Sequence, residues 1–349
     1  MINEIIEEDC KNVIDYLSPL IPKIKGKSFL VAGATSFLGL NIVNTLVYYN
    51  RTIAKNKDDQ CEIYALYHDD NKAHLKLNEY IKDSFFHMFK WDATENSRII
   101  IENVHVDYIF YLCSIATTDG FLRQPVETMA ANTIGLYNML VYAKNKDIKG
   151  FLYFSSGAIY GILSGNASEI HEDDMGVMNH IDLQNVYAEG KKAGETLIKA
   201  FQVEYSVPAK SVRISHTYGP GIDINDGRVF SDFIKNIVND EDIIVKSDGS
   251  AVRPFCYISD AVRAFFLILI EGVDGETYNM ANPIETYSVG ELAELLVEKI
   301  FSDKKIKVIY INEKGNIHPK KILINIDKLQ NLGWKPKVSV KKGFRRVVE

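Results

Sequence analysis

The chain has 349 residues, 46% hydrophobic and 25% charged, the balance of an ordinary globular protein. Its formal net charge is -6 and its Lys and Arg are spread along the chain, which argues against a nucleic-acid partner. Four cysteines (Cys10, Cys61, Cys113 and Cys256) stand far apart without a Cys-x-x-Cys, which speaks against a zinc site or a disulfide framework and predicts no bound metal and a reducing, cytoplasmic setting.

The opening stretch, Met1-Ile-Asn-Glu-Ile-Ile-Glu-Glu-Asp9, is acidic where a signal peptide is basic. The strongest apolar run, Ala264 to Ile270, is too short to span a bilayer, so no membrane partner is expected. Residues 2–20 read as an amphipathic helix closed by Pro19 and Pro22. Phe29 to Ala32 form an apolar strand, Gly33 to Gly39 a turn, and Asn41 to Tyr49 a helix. Strand, Gly turn and helix in that order open a dinucleotide-binding βαβ unit. Its glycines let backbone N–H groups approach a pyrophosphate at the helix N-terminus.

Cys61 to Tyr67 is a second strand, with Asp69 and Asp70 just beyond its end. A carboxylate there accepts from the ribose 2′-hydroxyl of NAD, and no Arg is at hand for a 2′-phosphate, so NAD is expected over NADP. The two Asp fit a solvated turn equally well. Phe85 to Lys90, Val106 to Cys113, Phe151 to Phe154 and Ser211 to Ser215 are further strands, and residues 125–145 and 187–204 are helices. This alternation predicts an α/β fold, a Rossmann-like doubly wound parallel sheet. Gly33, Asp92, Cys113, Ser156 and His216 all fall at or just past strand ends, where such sheets bind their ligands. Beyond residue 216 loops alternate with helices at about 229–239, 259–271 and 288–301. The organisation expected is a helical extension (1–25), an NAD-binding domain (26–215) and a smaller C-terminal α/β domain (216–349) that binds substrate and returns some segments to the first.

Tyr187-Ala-Glu-Gly-Lys191 places a phenol and an ammonium on one helical face, one turn apart. A phenol with its ordinary pKa of about 10 is a poor base near neutral pH, and a nearby cation lowers that value. So tuned, Tyr187 could move a proton on and off a sugar or alcohol hydroxyl. Taken alone, the stretch fits a packed Tyr and a solvated Lys equally well.

An ordered set of motifs runs through nearly the whole chain: Gly33-Ala-Thr-Ser-Phe-Leu-Gly39, Trp91-Asp-Ala93, Phe154-Ser-Ser-Gly-Ala-Ile-Tyr-Gly161, Tyr187-x-x-x-Lys191, Arg213-Ile-Ser-His-Thr-Tyr-Gly-Pro220, Arg253-Pro-Phe-Cys-Tyr-Ile-Ser-Asp260 and Leu332-Gly-Trp-Lys-Pro-Lys337. With these the sequence resembles the extended short-chain dehydrogenases/reductases of the nucleotide-sugar epimerase/dehydratase group. The resemblance implies tightly held NAD and a nucleotide-diphosphate sugar as substrate. It implies Tyr187 as acid/base, Lys191 on the nicotinamide ribose, and Ser156 sharing a hydrogen bond with sugar O4. Gly33, Thr35, Ser36, Phe37, Leu38 and Gly39 would hold the pyrophosphate, with Asp69 at the ribose, Asp92 and Ala93 at the adenine, and Asn132 and Ser155 supporting the cofactor site. Tyr187, His216, Arg228 and Arg253 would meet the substrate with Ser156, the two Arg at its diphosphate. Either Arg could equally be a surface ion pair.

Three departures from the pattern matter. Ser36 stands where the group has its middle Gly, and His216 where Asn is common. Ala158 stands where decarboxylases of the group carry Glu, and Gly157-Ala158 replaces the Asp-Glu pair of 4,6-dehydratases. A methyl group cannot shuttle the proton that elimination at C5–C6 requires. These residues lead to an epimerase acting by transient oxidation at sugar C4. The alternatives are a decarboxylase or dehydratase, suggested by the decarboxylase-like stretch Asn225 to Phe233, a 4-keto-sugar reductase, and a non-catalytic dinucleotide-binding protein. Relatives often pair through the helices that here are 125–145 and 187–204, so a homodimer is expected, with Met139, Leu140, Leu197 and Phe201 as apolar surface that fits packing against the sheet equally well.

Overall fold

A computed structural model describes residues 4–95, 99, 101, 104–163, 169–311 and 323–348. Seven strands form the central sheet: β1 Ser28–Ala32, β2 Glu62–Tyr67, β3 Phe86–Lys90, β4 Tyr108–Tyr111, β5 Gly150–Ser156, β6 Ala209–Ile214 and β7 Thr277–Met280. Their order across the sheet is β7-β6-β5-β4-β1-β2-β3, and every pairing is parallel. The order reverses between β1 and β4. There the crossovers diverge to opposite sides and leave a crevice at the carboxyl ends of the strands. β1, Ser-Phe-Leu-Val-Ala, is buried along its whole length, as a strand covered on both faces must be.

The principal helices are α1 Glu4–Tyr16, α2 Phe37–Thr52, α3 Asp70–Leu77, α4 Thr118–Arg123, α5 Pro125–Ala130, α6 Leu136–Lys144, α7 Val186–Tyr205, α8 Val229–Val238, α9 Ile258–Glu271 and α10 Val340–Val348. The helix expected over 125–145 is present, with one wide turn at Ala131–Gly135 between α5 and α6. The strand Thr277–Met280 was not expected from the sequence. It follows Gly275 at φ +79° and runs along β6 on the sheet edge.

Three small sheets sit beyond the carboxyl edge. His216–Tyr218 pairs parallel with Val252–Tyr257, which pairs antiparallel with Thr286–Ser288. This brings His216 and Arg253 onto adjacent strands. Glu169–Ile170 pairs with Leu323–Ile324, and Ile243–Val245 with Val308–Tyr310.

Two polar clusters tie distant segments together. Asp260, fully buried at the start of α9, ion-pairs with Arg263 and accepts from the backbone N–H of Lys337 and Val338 at 2.8 and 2.9 Å. Its carbonyl accepts from the Trp334 indole at 2.9 Å. The motif ending in Asp260 and the Leu332-Gly-Trp-Lys-Pro ending are therefore two halves of one lock. The second cluster joins α1 to α10. Arg346 donates to Asp9, Glu8 and the Tyr257 hydroxyl, and Tyr257 donates to Asp9 at 2.6 Å. Burial holds the Asp9 carboxyl up at about 6.

The side chains named for a dimer face lie elsewhere. Met139, Leu140 and Phe201 are buried in the layer between helices and sheet, and Leu197 packs against it. The apolar side chains these helices expose are Val126, Ile134, Tyr137, Val203 and Tyr205. No described helix is long and apolar enough to cross a membrane.

Replacing Asp260 with Ala strands the Arg263 charge and two backbone donors, and is expected to cost about 3–5 kcal/mol of unfolding free energy. Denaturant unfolding measures the loss, with a red shift of Trp334 emission in the native baseline.

Candidate active site

Tyr187 and Lys191 sit on the first turns of α7, against the end of β5. Two glycines permit the close approach. A Cβ at Gly194 would lie 2.2 Å from the Tyr153 hydroxyl, and one at Gly190 would lie 3.3 Å from the Asn132 side chain. Lys191, 2% exposed, donates to the Phe154 carbonyl at 2.6 Å. Its ammonium lies 5.0 Å from the centre of the Tyr153 ring and 5.6 Å from that of Tyr187. Two residues past Phe154, the Ser156 hydroxyl accepts from the Ala158 N–H at 3.1 Å, and it lines the same cavity as the Tyr187 phenol. Asn132, fully buried, braces this layer from behind by accepting from Tyr153 at 3.1 Å and donating to Ser114 and the Thr128 carbonyl.

The electrostatics differ from the simple sequence picture. Burial is the largest influence on Tyr187 and raises its pKa, while Ser156 and then Arg228 oppose it. Burial also pushes Lys191 down to about 7. The lysine therefore does not by itself convert the phenol into a base in the cofactor-free protein. His216 is pushed down to about 3 by burial and then by Arg253 and Arg228, so its imidazole is neutral at working pH. Its Nδ1 is buried without a partner among the described residues.

These groups share one cavity of about 760 Å³, within the range of small-molecule sites. Among the residues expected at the site, Ser36, Phe37, Leu38, Ser155, Ser156, Tyr187, Lys191, His216, Arg228 and Arg253 line it. Arg228 also ion-pairs with Asp226, whereas Arg253 has no acidic partner among the described residues and donates to its neighbour's carbonyl, Val252 O, at 2.8 Å. No Asp or Glu is among the described lining residues. Asp92 accepts from Thr94, and Ala93 is buried beside it. Asp69 does not line the cavity. Its carboxylate caps α3 by accepting from the Lys72 N–H at 3.0 Å, while Asp70 ion-pairs with Lys90.

The Gly turn fits a dinucleotide. Gly33 has φ +92°, and a Cβ on Gly39 would meet the Gly33 carbonyl at 2.3 Å, so the loop keeps its tight form only with glycine at both ends. Thr35, buried in the turn, gives its carbonyl to Lys76 at 2.8 Å. Ser36, at φ -70°, needs no glycine. Its hydroxyl donates to the Gly33 carbonyl at 2.7 Å and accepts from the Gly39 N–H at 3.1 Å, capping α2 whose N-terminus faces the cavity. The departure at Ser36 thus replaces backbone freedom with a helix cap. The Ser155 hydroxyl is buried in the same lining without a partner among the described residues.

One residue was invisible in the sequence. Phe121, on the six-residue helix α4, stacks on the Tyr187 ring at 5.7 Å between centres and 14° between planes. The local signal was Thr117, which caps α4 by accepting from the Gly120 N–H. It announces a short helix, but not what the helix presses against.

With the sheet, the Gly turn and the Ser-Tyr-Lys group in one crevice, the class is that of a Rossmann-fold enzyme acting with a nicotinamide dinucleotide. Residues 29–281 match the NAD dependent epimerase/dehydratase family, and the chain belongs to it. It is 32% identical over 319 residues to UDP-glucuronic acid decarboxylase 3 of Arabidopsis thaliana, covering 90% of this chain and 86% of that one. It is 30% identical to UDP-glucuronic acid decarboxylase 1 of Xenopus tropicalis, covering 77% and 65%. The fold matches a UDP-glucose 4-epimerase from Thermotoga maritima (TM-score 0.76, 22% identity, covering 92% of this chain and 97% of that one). It also matches a UDP-glucuronic acid 4-epimerase from Bacillus cereus in complex with NAD (TM-score 0.74, 20% identity, covering 92% and 95%). The protein is thus an enzyme of an NAD-dependent family, and NAD is its cofactor.

Gly39→Ala is expected to lower NAD affinity at least tenfold while the fold is kept, as read by calorimetric titration and circular dichroism. The Lys191 burial predicts a stability effect with a definite sign. Between its folded value of about 7 and the ordinary value of about 10.4, the unfolded chain holds more protons, so this group makes the cofactor-free protein more stable as pH rises. Lys191→Met is therefore expected to melt several degrees higher than wild type at pH 7 without cofactor, and the gap is expected to narrow by pH 10.

Proposed function

We propose that the protein is an NAD-dependent epimerase that inverts C4 of a nucleotide-diphosphate sugar. The observation that carries this reading is the Tyr187 phenol, with Ser156 and Lys191 lining the same cavity, whose described lining holds no carboxylate. Inversion at C4 needs one proton moved at O4. Elimination of water across C5–C6 needs further acid and base groups, and Ala158 supplies neither.

In this reading Arg253, Arg228 and the neutral His216 hold the diphosphate and so fix the sugar's C1 end. The guanidinium of Arg253, unpaired with any described acid, has its charge free for phosphate oxygens. Lys191 and the α2 N-terminus, with Ser36, Phe37, Leu38 and Ser155, hold the dinucleotide. Bound NAD supplies the reversible two-electron acceptor that C4 oxidation requires. Tyr187 Oη takes the O4 proton, Ser156 Oγ orients O4, and Phe121 keeps water from one face of the phenol. The 4-keto sugar then turns about its diphosphate linkage, and Tyr187 returns the proton to O4 on the inverted centre.

A second reading is supported by the 32% identity to a UDP-glucuronic acid decarboxylase over 90% of the chain. Once C4 is a ketone, a carboxylate on C5 is β to it. The C5–carboxyl bond can then break, its electron pair passing to the carbonyl, without any carboxylate in the lining. The segment 216–349 is proposed as the substrate side of the site in either case. A homodimer is proposed through the exposed Val126, Ile134, Tyr137 and Val203 rather than the buried positions, and sedimentation as a monomer would remove it.

Incubation with uridine- and thymidine-diphosphate sugars, read by NMR and mass spectrometry, separates the readings. A C4 epimer of unchanged mass is expected, and a product lighter by carbon dioxide selects the decarboxylase. Tyr187→Phe is expected to lower kcat by about 10²–10⁴ with NAD content unchanged.

A further inference from the structure

The ribose end of the dinucleotide site departs from the sequence expectation. In a Rossmann unit a free carboxylate at the end of the second strand selects NAD in two ways. It accepts from the ribose 2′-hydroxyl, and it repels a 2′-phosphate. The structure shows where that corner lies. The Gly33 and Ala34 N–H groups donate to the Leu66 carbonyl at 3.2 and 3.1 Å, so the Gly turn rests on the end of β2. Thr35 is the next residue of the turn, and Tyr67, His68 and Asp69 follow Leu66.

The carboxylates of this corner are engaged. Asp69 accepts from the Lys72 N–H at 3.0 Å. That bond is the largest influence on its pKa and holds it below the ordinary value, against the effect of burial. The Lys72 charge, the Asn71 N–H and His68 act in the same direction. Asp70 is neutralised by its ion pair with Lys90.

Ammonium groups stand beside the turn instead. Lys76, half-buried on α3, donates to the Thr35 carbonyl at 2.8 Å, which anchors its charge on the Gly turn itself. Lys72 lies one helical turn earlier on the same face. Neither lysine ion-pairs with a carboxylate among the described residues. Burial, and after it the Lys72 charge, pull the Lys76 pKa down, with Asp223 opposing them. An ammonium has three donors, so Lys76 keeps some to spare after its bond to Thr35. Two cations that repel each other, one of them partly desolvated, gain from an anion placed between them. The 2′-hydroxyl of NAD brings no such charge. A 2′-phosphate brings both the charge and the acceptor oxygens, and lysine meets phosphate as a point charge without the fixed fork of an arginine.

We propose that the site takes NADP as well as NAD, the 2′-phosphate of NADP being received by the side chains of Lys76 and Lys72. The inference rests on Gly33–Gly39 as the dinucleotide turn and is independent of which sugar reaction follows.

The test reads binding rather than turnover. Full-length protein freed of bound dinucleotide is titrated calorimetrically with NAD and with NADP. The two dissociation constants are expected to lie within about tenfold of each other. NADP binding weaker than that overturns the inference. Lys76→Met is expected to lower the ratio of NADP to NAD affinity at least about fivefold, and Lys76→Arg, which keeps the charge, to restore most of it. A smaller change in Lys76→Met overturns the role of Lys76, and an equal loss for both dinucleotides places its charge at a part they share. Circular dichroism checks that the variants fold. Lys72→Met, whose side chain is exposed, gives a second reading: the same ratio is expected to fall at least about twofold, and an unchanged ratio removes Lys72 from the site. Binding of NAD alone keeps the dinucleotide turn and discards this inference. Binding of neither dinucleotide discards the turn with it.

Discussion

One hydrogen bond fixes the geometry on which the site depends, from the Lys191 ammonium to the Phe154 carbonyl at 2.6 Å. It ties α7 to the last turn of backbone before β5 ends. Tyr187 lies one helical turn earlier on α7 and Ser156 two residues later on the strand, so the same tether brings phenol and hydroxyl together. The glycines at 190 and 194 make the tether reachable, because side chains there would hold the helix off Asn132 and Tyr153. A buried lysine is costly to keep charged, and burial shifts it toward neutrality. The fold accepts that cost beside the cavity that Lys191 lines. The buried His216 Nδ1 and Ser155 hydroxyl, both without partners among the described residues, belong to the same pattern. Sites made to receive polar ligands keep some of their polar atoms unsatisfied in the protein alone.

Much of this was legible in the sequence, because it rests on local rules. A strand followed by Gly33 and Gly39 signals a tight turn, and the spacing of Tyr187 and Lys191 signals a shared helical face. What was not legible depends on distant partners. The strand Thr277–Met280 is four residues long with a polar Thr and Asn in it, and only its pairing to β6 makes it a strand. Asp69 reads as a ribose ligand or a turn residue; as the first cap of α3 it is closest to the second. The helices α6 and α7 carry apolar residues around much of their circumference, so periodicity does not say which faces the sheet. Met139 and Phe201 face inward, and Tyr137 and Val203 outward. Phe121 could not be paired with Tyr187 from sequence, because 66 positions separate two rings that only the tertiary fold brings together.

The departures from the family pattern divide into two kinds. Ser36 is a local exchange: a hydroxyl cap takes over where backbone freedom is otherwise used, and the turn keeps its shape. Ala158 is a chemical exchange, since it places a methyl group in the cavity lining where the family pattern has an ionisable side chain. The second, in the proposed reading, leaves that wall position without a proton shuttle.

The clasp between α1 and α10 has a consequence for how the protein is made. Asp9 and Arg346 are 337 positions apart, so at the usual synthesis rate of about 5–20 residues per second the acid waits roughly 20–70 s for its guanidinium. Throughout that interval α1 can dock on α2 and α9 only as they emerge, and Tyr257 has no cation beside its bond to Asp9. The strand leading from Arg253 to Tyr257 is thus among the last parts of the cleft to be locked. A nascent chain can assemble its dinucleotide half well before the ribosome has supplied the residue that secures the other.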